Sequence, residues 1–360
     1  MGQFDDTGDT HCMRSVWLHS CHDSFVDVTI GIRIVPNGKR SLQRVRLTDG
    51  PLTVWIEIVA SEPMNGMLCV NKSTGMTSRD VVNRVQRRLK PIKVGHAGTL
   101  DPLATGVLVL MVGKATRLTE YVQRMPKTYC GSFRFGMTSD TEDVDGNVIQ
   151  LPDAPRIERS QVESVLSQFV GQIDQMPPAF SALKVNGRRA YELARAGKTV
   201  ELQARPIEIH SLSIDRFDFP DFDLTIECGS GTYVRSLGRD IARAVGTEAV
   251  MTALKRTAIG AFTIENSIGA EALPDIDVAS QLLPMSMAVT SVPTVSVSGS
   301  ELERVRHGIS IDLSPEEESL VCKLSSDATE AAAIGPDGRL VAILVKRRDG
   351  WGPTKSFISG

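Results

Sequence analysis

The chain has 360 residues, 41% hydrophobic and 23% charged, an ordinary balance for a folded globular protein. That much apolar material builds a sizeable core, which excludes global disorder, and the length predicts two or three domains. The 40 basic and 43 acidic residues give a net charge of −3. This excludes a wholesale basic coat for nucleic acid and leaves room for a local basic face. Apolar runs such as 106–112 are far too short to span a bilayer. Six cysteines without a CxxC pair fit a reducing compartment better than a disulfide scaffold.

Residues 1–63 differ in texture from the rest, with a polar, acidic start and no signal-peptide pattern. Cys12 and Cys21 stand near His11, His19 and His22, but the spacing fits no standard structural zinc site. The segment reads as an extension or an overlong gene start, with one strand over 52–59. Dense patterning begins at Met64. A strand over 66–70 leads to a turn at Gly75, and Thr77 or Ser78 caps a helix over 79–89. Val81, Val82, Val85 and Leu89 form its apolar stripe, and Pro91 ends it. Arg79, Arg84, Arg87, Arg88, Lys90 and Lys93 face a single acid, Asp80. Such a run is either a solvated face or a phosphate grip.

A small-residue loop follows, then an apolar strand over 107–112. Alternation predicts strands over 127–135 and 222–228. An acidic turn occupies 140–146, and helices are expected over 157–169, 191–196 and 234–244. Residues 176–189 read as a loop rich in Pro, Lys and Arg. Strands and helices interleave without a strict βαβ rhythm, so the core is of the mixed α/β or α+β class. The expected boundaries are a catalytic domain over 64–273, a linker over 274–293 and a small all-β module over 294–360.

Several motifs fail. Gly113-Lys114-Ala115-Thr116 lacks the Ser or Thr after Lys and the upstream Gly of a phosphate loop. The acidic turn puts Pro152 where a calcium loop needs its bidentate Glu. No HExxH or GxSxG occurs, and no metal set is expected. Asp101 stands in a Gly- and Thr-rich loop just before a buried strand. A lone Asp there is usually a turn former. Its setting differs, with His96 five residues earlier and the basic helix before both.

The run from Gly95 through His96, Gly98, Thr99, Asp101, Pro102 and Gly106 to Leu108 resembles the catalytic signature of the TruB family of pseudouridine synthases. Other blocks follow in the family's order. They are Met64-Asn65-Gly66 with Lys72, then Lys127-Thr128-Tyr129, then Met176 to Lys184. Gly231-Thr232-Tyr233-Val234-Arg235 and Leu254-Lys255-Arg256 complete the set. Ser73 stands where the family usually has proline. The resemblance spans roughly 64–262, with a weaker match beyond. It implies an α+β synthase core with a mixed, mostly antiparallel sheet, and a C-terminal β-rich module like the PUA RNA-binding barrel.

The implied reaction isomerises uridine to pseudouridine in the tRNA T-loop, at the position conventionally numbered 55, and needs no cofactor. Asp101 matches the nucleophile. A carboxylate in a water-poor pocket needs a cation beside it, and Arg235 matches that role. Tyr129 resembles the residue that stacks on the flipped uracil, and His96 the one that enters the RNA loop. Tyr233 and Leu254 match pocket positions. Lys127 and Lys184 can meet phosphates, as can Arg84, Arg87, Arg88, Lys90 and Lys93. The implied partner is the tRNA T-arm, with no membrane and no obligatory protein partner, for a cytoplasmic monomer. Three other readings remain. They are the guide-RNA-dependent branch of the superfamily, a non-catalytic RNA binder, and a carbohydrate-active enzyme needing a second carboxylate.

Overall fold

A computed structural model describes residues 12–18, 26–32, 64–181, 183–185, 188–189, 202–324 and 330–358. The chain divides into two units, Met1–Pro63 and Met64–Gly360. In the first, β1 (Cys12–Leu18) and β2 (Val26–Ile32) pair antiparallel from Cys12↔Ile32 to Leu18↔Val26. The strand expected over 52–59 and the histidines near Cys21 lie outside the described residues.

The second unit opens with β3 (Gly66–Lys72) and α1 (Ser78–Leu89). Thr77 accepts from the Asp80 amide while the Asp80 carboxylate accepts from the Thr77 amide, a reciprocal cap. A cap of this kind contributes about 1 kcal/mol. All four expected stripe residues of α1 are buried. Next come β4 (Val94–His96), β5 (Thr105–Val112), α2 (Thr119–Arg124) and β6 (Lys127–Phe135). A hairpin of β7 (Met137–Ser139) and β8 (Val148–Gln150) follows.

Helix α3 (Arg159–Leu166) is shorter than the expected 157–169, because a Glu158–Gln161 capping box starts it late and its end tightens into a 3₁₀ turn. After β9 (Gly171–Gln175) come two short strands, β10 (Lys184–Val185) and β11 (Arg188–Arg189). The helix expected over 191–196 lies outside the described residues. Then follow β12 (Arg205–Asp218), β13 (Asp221–Cys228), α4 (Val234–Ala244) and β14 (Ala249–Ile259). The last elements before the C-terminal module are β15 (Phe262–Thr263) and β16 (Ile268–Gly269).

The main sheet has ten strands in the order β16-β3-β5-β14-β6-β13-β12-β9, with β4 on β5 and β15 on β14. Only β14–β5 and β16–β3 run parallel, so the sheet is mixed and mostly antiparallel. Strand β5 is buried on both faces, and Leu108, Leu110 and Val112 belong to one core while Val107, Val109 and Met111 belong to the other. That two-sided burial is why 107–112 is apolar without alternation. Helices α1, α3 and α4 cover the first face through Val85, Val162 and Leu237.

The second face is covered by the C-terminal part of the chain, which corrects the reading of 274–293 as a linker. Met67 and Leu283 exchange backbone hydrogen bonds at 3.0 and 2.8 Å, and Ala288 and Val289 are buried in the second core. Beyond lie β17 (Thr294–Ser296), β18 (Glu330–Ile334), β19 (Leu340–Arg347) and β20 (Gly350–Ser356), one four-stranded sheet. The module is not all-β. It includes α5 (Gly299–Arg306), started by a Ser298–Glu301 capping box, and α6 (Pro315–Leu324). The run Glu316-Glu317-Glu318 forms the first turn of α6, where carboxylates suit the positive end of a helix. Ala332, Leu340, Ile343 and Phe357 share the second core with β5. Lys114 Nζ donates to the carbonyls of Phe357 and Ile358 at 3.1 and 2.8 Å, which ties the module's end to the edge of the main sheet. Among the described residues, no helix is long and apolar enough to cross a membrane.

Candidate active site

The Asp101 loop joins β4 to β5 and is held from three sides. Ser78 Oγ donates to the Leu100 carbonyl at 3.1 Å and accepts from the Leu100 amide at 2.9 Å. Lys72, with no exposed surface, points Nζ at the carbonyls of Met76, Ser73 and Pro102 at 2.7, 3.0 and 3.3 Å. Arg256, also buried, donates to the carbonyls of Val107 and Gly98 at 2.8 and 3.0 Å. Gly106 permits the parallel approach of β14. At φ 97°, a Cβ there would lie 2.1 Å from the Arg256 carbonyl oxygen. Burial lowers the Lys72 amine to about 8, and the nearby Asp101 charge opposes that fall.

Arg235 enters from the first turn of α4, and its side chain is only 8% exposed. The main chain before it is fixed by Gln175, whose side chain exchanges hydrogen bonds of 2.8 and 3.0 Å with the backbone of Tyr233. Four oxygens surround the guanidinium. Asp101 Oδ2 lies 3.0 Å from one terminal nitrogen, and the Thr141 carbonyl accepts from the other at 2.7 Å. The Phe180 carbonyl accepts at 3.2 Å, and Asp143 Oδ2 lies 3.6 Å from Nε. The two aspartates differ in access. The Asp143 side chain is 6% exposed and Asp101 40%, so only Asp101 can meet a substrate. Asp143 is a buried counter-ion. Burial raises its carboxyl above the usual range, while hydrogen bonds from Thr141 Oγ1 and the Arg235 charge oppose that rise.

Tyr129 lies on β6, opposite Ile226 and Arg256, with its ring centre 6.0 Å from the Arg256 guanidinium carbon. Burial pushes its hydroxyl above the usual range, so at neutral pH it is a phenol that can stack or donate, not a phenolate base. Leu254, 9% exposed, lies on β14 opposite Gly131. Tyr233 is half-buried at the start of α4.

His96 is half-buried on β4. Burial first, then the Arg79 and Arg256 charges, hold its imidazole below the usual range. The unfolded chain therefore takes up a proton before the native one does. Stability is retained above pH ~6.5 and lost as pH falls through the native value. His96→Gln is expected to remove this acid sensitivity. Urea unfolding of both proteins from pH 7 to pH 5 checks it, with the wild type losing more.

Three of the expected phosphate contacts are redirected. Lys127 is 7% exposed and turned inward, donating to the carbonyls of Met125 at 2.6 Å and of Gln123, with burial lowering its amine to about 8. It braces the end of α2 and does not reach solvent. Arg84 and Arg88 donate to the carbonyls of Ala270 and Leu273 at 2.8 and 2.5 Å, holding the chain after β16 against α1. Arg79, Arg87, Lys90 and Lys93 are exposed, as is Arg88 beyond its contact with Leu273. Lys184 lies in β10, and its side chain is outside the description. Ser73, at the proline position, gives its hydroxyl to Glu271 at 2.5 Å.

Asp143 and Thr141 stand in an acidic turn whose sequence matches only a failed metal loop, so their partnership with Arg235 leaves no local signal. The sequence reading treated Lys72 and Arg256 as motif members without roles. Their signal was a basic residue at a buried position of a strand, Lys72 at the end of β3 and Arg256 between Lys255 and Thr257 of β14.

The family model described as TruB family pseudouridylate synthase (N terminal domain) matches residues 86–234. A tRNA pseudouridine synthase B from a Caulobacter species is 39% identical over 303 residues, covering 82% of this chain and 97% of that protein. The Thermobifida fusca protein of the same name is 38% identical over 302 residues, covering 81% of this chain and 98% of that one. A chain of the structure of an H/ACA RNP bound to a substrate RNA containing 2′-deoxyuridine shares the fold. The TM-score is 0.60 at 21% identity, with 82% of this chain and 85% of that chain covered. The family of these relatives defines the class, a pseudouridylate synthase. With identity near two fifths over almost the whole length of its relatives, the chain belongs to the TruB family.

Proposed function

We propose that this chain isomerises uridine to pseudouridine in the T-loop of tRNA, at the position numbered 55, with Asp101 as nucleophile. The observation that carries the reading is the pairing of a solvent-reachable Asp101 with the buried Arg235 at 3.0 Å, in a loop clamped by Lys72 and Arg256. Arg235 gives the carboxylate a counter-ion and a fixed orientation. In the reaction the N1–C1′ bond breaks, the uracil turns, and C5 bonds to C1′. C5 gives up its proton and N1 gains one, so the balance needs no cofactor. Tyr129, a neutral ring beside Arg256, is the surface on which a flipped base stacks. On this reading His96, Tyr233 and Leu254 supply shape and water exclusion around the base. Arg79, Arg87, Lys90 and Lys93 offer the phosphate contacts, which makes RNA binding salt-dependent. On this reading the chain is a cytoplasmic monomer whose partner is the tRNA T-arm.

The test is release of tritium from tRNA labelled at C5 of uridine, with the modified position mapped afterwards. Release that maps to the T-loop is expected. Tight, salt-sensitive binding without release would instead make the chain an RNA binder.

A further inference from the structure

Behind Arg235 lies a second set of buried charges that the reaction does not use. Glu142 is the one non-glycine residue with positive φ among the described residues, at 64°. A side chain in that region is strained and persists where surrounding contacts over-determine the backbone. Here they do. The Glu142 carboxylate is 13% exposed. One oxygen accepts from Ser236 Oγ at 2.6 Å and the other from the Arg239 guanidinium. Arg239, 10% exposed, also donates to Asp240 Oδ1 at 2.8 Å and to the Met176 carbonyl at 3.0 Å. The Glu142 carbonyl accepts from the Met251 amide at 3.0 Å, and the Val144 amide donates to the Met251 carbonyl at 3.1 Å.

Residue 142 is thus pinned by its side chain to α4 and by its main chain to β14. Its two neighbours are the groups that hold Arg235, the Thr141 carbonyl at 2.7 Å and the Asp143 carboxylate at 3.6 Å. Arg235 and Arg239 are one helical turn apart and share a face of α4. One helix face therefore grips three consecutive residues of the acidic turn.

We propose that Glu142 and Arg239 are positioning residues. Their buried ion pair locks the left-handed backbone at residue 142, and so fixes the two acceptors that aim Arg235 at Asp101. The proposal rests on the reading of Asp101 and Arg235 as the reacting pair.

The test uses the full chain with Glu142→Gly, which suits a positive φ and removes the side chain with its carboxylate, and Glu142→Gln, which keeps the volume and an acceptor. Two readouts are taken. One is single-turnover pseudouridine formation at saturating tRNA, with tRNA affinity measured beside it. The other is the exchange rate of the Arg235 Nε–H proton by NMR, assigned by its loss in Arg235→Lys. Both variants are expected to lower the rate constant at least about tenfold while tRNA affinity stays within about twofold. Arg235 Nε–H exchange should quicken by a similar factor. A wild-type rate, or an unmoved Arg235 signal beside a slower rate, in a folded variant would overturn the proposal. So would a loss confined to tRNA affinity, or unfolding of both variants, which would make the pair purely structural. If the wild type forms no pseudouridine in tRNA, the proposed function fails. The exchange comparison then still decides the positioning claim.

Discussion

Asp101→Asn is expected to lower single-turnover pseudouridine formation by at least roughly 10⁴-fold while tRNA affinity stays within about threefold. The asparagine keeps the volume and one oxygen acceptor, so the loop clamped by Ser78, Lys72 and Arg256 retains its shape. Only the negative charge and the nucleophilic oxygen pair are lost. The exposed cations of α1 proposed to meet phosphates do not include residue 101, which is why binding and chemistry should separate. Tritium release and filter binding on the same preparations check this. Equal release from both proteins would remove Asp101 from its role.

Arg235→Lys is expected to cost about 10²–10³-fold in the same rate, the range seen when one preorganised electrostatic group is lost. A lysine carries a point charge and cannot reproduce the planar fork that meets Asp101, Asp143, Thr141 and Phe180 together. Whichever carboxylate it abandons decides the second effect. If the ammonium follows Asp101, the buried Asp143 loses its counter-ion, and leaving such a charge unpaired destabilises by about 3–5 kcal/mol. A drop in Tm of several degrees should therefore accompany the rate loss. Asp143→Asn in the Arg235→Lys background should restore most of the Tm and little of the rate, because it removes the orphan charge without rebuilding the fork. Calorimetry on the single and double variants, beside the rates, checks both halves. Full rate in Arg235→Lys would mean that any cation at that place suffices.

Much of this site was legible from the motif run. The residues proposed to act on the substrate, Asp101, Arg235 and Tyr129, stand in contiguous patterned blocks. The residues that hold them were not legible, since a supporting contact leaves no local pattern. Lys127 and Arg84 illustrate the difference. Each reads as a free cation beside a nucleic-acid site, and each is spent on a backbone carbonyl that only the folded chain brings near.

The sequence by itself determined the local order. The Thr77–Asp80 cap and stripe of α1, the alternation of β6, and the doubly buried run of β5 depend on neighbours within one or two turns or on strand period, and periodicity records that. Only the tertiary structure decided the company of the charges. Parallel pairing of β14 with β5 brings Arg256 under the Asp101 loop, and docking of α4 on the acidic turn sets Arg235 between two aspartates remote from it in sequence. It also packed the expected linker against the main sheet through Leu283, Ala288 and Val289, and made the expected β module a partner of the second core. Those pairings depend on which surfaces meet once the sheet has formed, and nearest-neighbour patterning carries no record of that meeting.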